Sequence, residues 1–397
     1  MIEIISLLAI VLAIAIGFWK NINVGLIALA FSLILGYYIG GIPINTIIGY
    51  WPIKLFFTTF GITLLFSIAK LNGTLEKISQ FIIFQSRGRK VLIPIIFYVL
   101  AVVIASVGPG NISTSALLLP IGLAIAFQTG ISILMMSSLI ILGSIAGGLS
   151  PLAPNGIVAL DLALNNGVGN LGYSIFAFNV LSMTIFSIIV FIFLGGLKLR
   201  GNRVDISKPE KFDRKQIYTM VVILILVLWV IISGINVGFA AFALSAVLLI
   251  LKAADQNESI KHVPWSTLLL ICGTAVLISV VSELGGVDLL TSFLASLMNQ
   301  QTAVPIMAVL SGVMSIFSSA VGVVMPTLIP TTVSLAGELG NVVSPAVLTI
   351  TIAVASHIVT MSPFSTMGAL ALASSHETID KKQIFKNLFI IAISSLL

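Results

Sequence analysis

Ile22-Asn23-Val24-Gly25 and Ile235-Asn236-Val237-Gly238 are the same four residues, 213 positions apart in a chain of 397. LIALAFSLIL follows the first copy and FAAFALSAVLL follows the second. A shift of 212 extends the agreement. Pro52 meets Pro264, and Gly61, Leu65, Ser67 and Gly73 meet Gly273, Leu277, Ser279 and Gly285. Ser106 and Gly110 meet Ser318 and Gly322. SPLAPNGIVAL (150–160) meets SPFSTMGALAL (362–372), sharing Ser, Pro, Gly, Ala and Leu. Matches held at a near-constant spacing across most of each half point to one fold unit used twice.

The composition says what kind of unit. Hydrophobic residues make up 58% of the chain, charged residues 8%, and the mean hydropathy is +1.20. A soluble domain carries about 25% charged residues. This chain instead contains many apolar runs of the roughly 17–25 residues that cross a bilayer. It reads as an all-α integral membrane protein with no sizeable soluble domain. The single cysteine, Cys272, forbids an internal disulfide or a cysteine metal cluster and reads as a small packing residue. The first apolar run, Ile4 to Phe18, has only Glu3 as a charged residue before it, so it reads as a retained helix rather than a secretory leader.

Candidate spans are 2–19, 22–40, 52–70, 171–197, 217–234, 237–252 and 265–283. The segments 131–164 and 343–374 are long but interrupted, and 91–128 and 303–340 read as paired half-helices. The stretches 74–86 and 287–299 read as surface-lying amphipathic helices. Positive residues mark cytoplasmic loops. Placing the linker 199–216 and its basic flanks in the cytoplasm puts 18 of the 19 Lys and Arg inside, with only Lys54 near the outer face. That one-sidedness accounts for the net charge of +6 by orientation, without nucleic acid. Five net crossings separate equivalent points of the halves. An odd number inverts the second copy, so the reading is a first repeat over 1–198, a cytoplasmic linker over 199–216 and an inverted second repeat over 217–397. This plan recurs in secondary transporters, with the site between the halves near mid-membrane. The expected location is the cell (inner) membrane. The last run, 384–397, is short for a span, which suggests a truncated chain.

With little charge in the interior, chemistry must sit at broken helices. In SVGPGNISTSALLLP (106–120), Gly108-Pro109-Gly110 interrupts a helix, and Asn111, Ser113, Thr114 and Ser115 open the next one. A helix start presents unpaired N–H groups and a partial positive charge suited to an anion. LSPLAPNG (149–156) breaks a second span, where freed carbonyls, Ser150 and Asn155 could hold a cation. The mirror elements are IFSSAVGVVMP (316–326) and HIVTMSPFSTMG (357–368), with Ser318, Ser319, Ser362, Ser365 and Thr366. His357 is intramembrane and reads as a satisfied packing residue rather than a proton carrier; Asp161 reads as interfacial.

At these residues the chain resembles the ion transporter superfamily, in particular its divalent anion/sodium symporters and MatC-type malonate/dicarboxylate carriers. Those symporters carry Ser-Asn-Thr at each hairpin tip. GNISTSALLLP places Asn111 at the motif asparagine and Pro120 at the closing proline, and Pro154-Asn155 matches the Pro-Pro-Asn-like element of the broken helix. VMPTLIPTT (324–332) and SPFSTMGALALAS (362–374) look closest to the MatC-type carriers. The chain departs from the pattern with Gly110-Asn111-Ile112 at the first tip and with no asparagine at the second. The resemblance implies re-entrant hairpins, a sodium ion between each hairpin tip and its broken helix, a homodimer, and elevator-like movement. Carried over, Ser106, Gly110, Asn111, Ser150 and Asn155 form one ion site, and Ser318 with Ser362 marks the other. Asn111, Ser113, Thr114, Ser318, Ser319, Ser365 and Thr366 face the substrate.

The expected function is secondary transport of a small dicarboxylate such as malonate or succinate, coupled to Na+ or H+, with no cofactor. Oxyanion efflux and sodium/proton exchange are alternatives, although exchange normally needs a mid-membrane acid. A membrane enzyme is disfavoured, since HExxH, GxSxG and paired intramembrane aspartates are missing from the sequence.

Overall fold

The computed structural model describes residues 2–20, 22–84, 89–199, 209–233, 235–317, 319–363, 365–375 and 380–395, and these are helical throughout with short turns. In the first half the helices are α1 (Ile2–Lys20), α2 (Val24–Ser32, continued as a π-helix over Leu33–Ile39), α3 (Ile44–Gly49), α4 (Ile53–Leu71), α5 (Thr74–Phe84), α6 (Leu92–Val107), α7 (Gly110–Thr129), α8 (Ile133–Gly148), α9 (Pro154–Asn165) and α10 (Gly172–Phe193). The second half holds α11 (Arg214–Ser233), α12 (Val237–Ile250), α13 (Gln256–Lys261), α14 (Trp265–Glu283), α15 (Gly286–Leu297) and α16 (Ala303–Phe317). A π-turn (Ala320–Val324) then leads through α17 (Met325–Leu328) into α18 (Thr332–Glu338). Helices α19 (Pro345–Ile358), α20 (Thr366–Ser374) and α21 (Lys381–Ser394) follow. Among the described residues, five helical segments are long and apolar enough to cross a membrane: 44–71, 110–129, 172–193, 265–283 and 320–338. The chain is an all-α membrane protein. Of the linker expected over 199–216, residues 200–208 lie outside the described residues.

The repeated tetrapeptide opens a helix in both places. Asn23 is the N-cap of α2 and its side-chain oxygen accepts from the Gly25 N–H; Asn236 does the same for the Gly238 and Phe239 N–H groups of α12. An asparagine cap satisfies amides that the first turn leaves unpaired. Each Asn then spends its amide on the other half of the chain. Asn23 Nδ2 donates to the Ser266 carbonyl at 2.7 Å, and Asn236 Nδ2 donates to Thr58 Oγ1 at 3.2 Å.

The glycine that ends each tetrapeptide explains the helix packing. A Cβ on Gly25 would lie 2.1 Å from the Leu269 carbonyl oxygen of α14, and one on Gly273 would lie 2.2 Å from the Gly25 carbonyl oxygen. In the same way, a Cβ on Gly61 of α4 would lie 2.3 Å from the Gly238 carbonyl oxygen, and one on Gly238 would lie 2.4 Å from Thr58 Cα. So α2 crosses α14 and α12 crosses α4, each at a Gly–Gly contact. In a lipid setting, where the bilayer is as apolar as leucine, such close approach supplies the dispersion and backbone contact that holds helices together.

A second set of helices packs around α8, every residue of which from Met135 to Gly148 is buried. Gly143 and Gly147 let it approach the Tyr98 and Val102 carbonyls of α6. Asn179 of α10 donates to the Ile145 and Ala146 carbonyls near the C-terminus of α8, at 2.8 and 3.0 Å. Further contacts cross the halves, since α20 packs on α7 and α9 packs on the segment from Ala320 to Thr331.

The glycines of the two helix-turn-helix hairpins meet α4 and α14 at different points along those helices. A Cβ on Gly108, at the first tip, would overlap the Phe66 ring near the end of α4. A Cβ on Gly322, at the second, would strike Leu270 near the start of α14. By the 212 shift Leu270 corresponds to Thr58, eight residues before Phe66. Eight residues are roughly 12 Å of helix at about 1.5 Å each.

Candidate functional site

The first hairpin turns on two glycines. Gly108 has φ 154° and Gly110 has φ 72°, values that side-chain-bearing residues rarely take. Gly110 also sits against the Pro154 ring, 3.1 Å from where its Cβ would be, and Gly148 lies equally close to Asn111 Cβ. The tip is thereby pressed into the break between α8 and α9. That break is a short turn in which the Ala153 N–H donates to the Ser150 carbonyl and the Leu152 N–H donates to Ser150 Oγ. Pro154 then starts α9 at a position where a missing N–H costs nothing.

The contact brings two predicted ion-site residues into hydrogen bonding. Asn155 Nδ2 donates to Asn111 Oδ1 at 3.1 Å, and both residues are buried. Asn111 Oδ1 accepts a second bond from the Ile112 N–H at 2.9 Å. Asn155 Nδ2 also reaches Nε2 of His357, on α19, at 3.1 Å, while His357 Nδ1 faces the Ala353 carbonyl at 3.0 Å. His357 is fully buried. As read from the sequence it is satisfied, but its partner is one of the expected ion-site residues. A lone histidine carries no sequence signal for a partner 202 positions away. Asn111 Nδ2 and Asn155 Oδ1 make no hydrogen bond among the described residues. The pair therefore presents one donor and one acceptor.

The other expected residues divide. Gly110 and Ser150 belong to the same junction. Ser106 turns its hydroxyl back to the Val103 carbonyl of its own helix, and Ser113 is half-buried beside a cavity. Thr114 is fully buried and its hydroxyl has no partner among the described residues. Ser115 and Thr327, which the sequence reading did not count as binding residues, are also buried with hydroxyls that have no partner among the described residues. The repeat offers the signal that would have flagged them, since a shift of 212 superposes Ser115 on Thr327. A buried hydroxyl without a partner is uncommon and calls for an explanation.

The carbonyls expected to be freed at the first break are partly spoken for. Asn179 caps Ile145 and Ala146, and the Gly147 carbonyl accepts from Ser150. In the mirror element, Ser319 caps the turn through the Gly322 N–H at 3.0 Å. Ser362 is buried. Ser365 donates its hydroxyl to the Thr360 and Ser362 carbonyls, so it faces its own turn. Ser318 and the side chain of Thr366 lie outside the described residues.

A cavity of about 40 Å³ opens beside the first tip, lined by Thr63, Ser67 and Lys70 of α4, by Pro109 and Ser113 of the hairpin, and by His262. Lys70 has no acidic partner among the described residues. Toward the far end of α9, the Asp161 carboxylate accepts from Asn165 Nδ2 at 2.9 Å and lies within the field of Lys54. Among the described residues there is no cluster of three or more His, Cys, Asp or Glu side chains that could hold a multivalent metal. The oxygens at the tip are amide, hydroxyl and backbone oxygens, a hard and uncharged donor set.

No curated protein matches the chain. Residues 1–148 match the family described as dicarboxylate carrier protein MatC N-terminus, a region that contains the first hairpin, Asn111 and all of α8. The match spans the first 148 of 397 residues, so that this part of the chain is similar to the N-terminal region of dicarboxylate carriers of the MatC type.

Proposed function

We propose that the protein moves a small dicarboxylate, such as malonate or succinate, across the cell membrane with sodium or a proton as coupling ion. The observation that carries this reading is the Asn111–Asn155 pair at the junction of the hairpin tip and the broken helix, whose Asn111 amide N–H and Asn155 amide oxygen have no partner among the described residues. The N–H of Asn111 and the unpartnered Thr114 and Ser115 hydroxyls suit a carboxylate. The oxygen of Asn155, with Ser150, suits a small monovalent cation whose charge offsets the anion. Lys70 and His262 line the approach to the tip, and the Lys70 charge draws anions toward it.

Ser319, Ser362 and Thr366, with Ser318, would form the mirror half. The reciprocal α2–α14 and α12–α4 crossings support two copies of one unit, which the odd number of crossings would invert. The different contact points of the hairpin glycines on α4 and α14 support alternating access. If the halves exchange conformations, the first tip moves from Phe66 to the level of Thr58 and the second from Leu270 to the level of Ile278, a shift of roughly 12 Å. A homodimer is part of the same reading.

The test is uptake of labelled malonate by Asn111→Ala in proteoliposomes. A hydrogen bond to a charged group is worth about 1.5–3 kcal/mol, so the apparent affinity should fall by roughly ten- to a hundredfold with the protein still folded. Uptake at wild-type affinity would remove Asn111 from the site.

A further inference from the structure

The hydrogen-bonded chain from Ala353 through His357, Asn155 and Asn111 to Ile112 has a backbone group at each end, and those two groups have fixed polarity. At one end the Ala353 carbonyl can only accept, so His357 Nδ1 must carry its proton. In the neutral ring Nε2 is then a lone pair, and the Asn155 group facing it must be the NH2. At the other end the Ile112 N–H can only donate, so the Asn111 atom facing it must be oxygen. That oxygen is the atom to which the Asn155 NH2 gives its other hydrogen, at 3.1 Å. The assignments made from the two ends meet at the Asn155 NH2 and agree. Without His357, one backbone N–H would fix Asn111, but the Asn155 amide would lose the acceptor that holds its second hydrogen.

We infer that His357 is a positioning residue for the transport site: its Nε2 lone pair locks the Asn155 amide so that Oδ1 is turned out as an acceptor while Asn111 Nδ2 is turned out as a donor. The role spans the repeats, because His357 stands on α19 of the second half and both asparagines stand in the first. It is a hydrogen-bonding role that asks for an acceptor at that point and not for a charge. The ionisable groups on the helices packed against α19 are Tyr173, at the exposed start of α10, and Glu338, at the end of α18 beside Ser292. The inference builds on the proposed anion and cation roles of the two asparagines. The locking itself does not depend on what the substrate is.

Two measurements separate these points. The first is 15N NMR of histidine-labelled protein, with and without Asn155→Leu, His262 and His376 being assigned by substitution. The His357 ring should show a protonated Nδ1 and an unprotonated, hydrogen-bonded Nε2, and Asn155→Leu should shift only the Nε2 resonance. A ring protonated at Nε2, or one blind to Asn155→Leu, overturns the inference whatever the protein carries.

The second compares His357→Gln with His357→Leu in malonate binding and in its dependence on NaCl. Gln can place an oxygen acceptor near the Nε2 position and should bind within about threefold of wild type. Leu keeps the bulk, removes the acceptor, and should weaken binding by at least about tenfold, the range seen when a partner that orients a ligand-holding residue is lost. Size-exclusion profile and helicity should be unchanged for both. If Leu binds as well as Gln, His357 only fills space and the inference fails. If the NMR result holds while wild type binds no malonate, the locking stands and the choice of substrate falls.

Discussion

Adding one methyl group at Gly25 or Gly238 should damage the protein far more than adding it at a helical glycine that faces open space. The Cβ of Gly25→Ala would sit 2.1 Å from the Leu269 carbonyl oxygen, and that of Gly238→Ala would sit 2.4 Å from Thr58 Cα. Ordinary van der Waals contact needs about 3.4 Å or more. The obstructing atoms are backbone, so a helix must move by about 1 Å rather than a side chain swing aside. A gap of that size forfeits roughly a quarter to a half of each facing dispersion contact. Overpacking of a tight interface costs typically 1–3 kcal/mol. Each substitution should therefore destabilise by about 2–3 kcal/mol, and by similar amounts in the two halves, because the contacts are reciprocal. Gly49→Ala and Gly337→Ala are the controls, since both positions have helical backbone and nothing within 4 Å of the new methyl. Thermal unfolding in detergent, followed by circular dichroism, gives the comparison. If Gly25→Ala and Gly238→Ala unfold with the controls, the Gly–Gly crossings described above are wrong.

Two further outcomes follow from the geometry. Asn179→Leu should cost about 1–3 kcal/mol in the same unfolding assay: two carbonyls near the end of α8 lose their donor, offset in part by removal of an amide oxygen that itself has no partner. In a Cys272→Ala background, the pair Leu270→Cys and Gly322→Cys should cross-link in the conformation described here. The pair Ile278→Cys and Ala320→Cys, which matches Phe66 and Gly108 by the repeat, should cross-link only after the hairpins shift. Cross-linking of the second pair that is as fast as the first and insensitive to substrate would argue against two discrete positions.

Much of the architecture was readable because bilayer physics is strict. Apolar length marks helices, and Gly-Pro-Gly, Pro-x-x-Pro and the asparagine caps mark where they stop, so the first hairpin turns at 108–110 and the broken helix is interrupted at 149–153, as expected. The pairing of α2 with α14 and of α12 with α4 was not readable. The tetrapeptides announce a repeat, but four residues do not say whether each copy packs within its own half or against the other. The site was readable in part. Asn111 and Asn155 belong to local motifs that break helices, and they do meet. His357 opens the mirror element 357–368, but nothing in that motif points to Asn155, and only the fold brings the two together. Ser106 and Ser365 show the opposite limit: a hydroxyl in a helix or tight turn can satisfy itself on a nearby carbonyl, and sequence alone does not say which way it turns.

The claim that this fold carries a dicarboxylate with a coupling ion is tested most directly by uptake of labelled malonate and succinate into proteoliposomes of the purified chain, under an inward sodium gradient, an inward proton gradient, and neither. The account predicts concentrative uptake of at least one of the two acids under one of the gradients, saturable and blocked by the unlabelled acid. Folded protein that takes up neither acid under either gradient would contradict it.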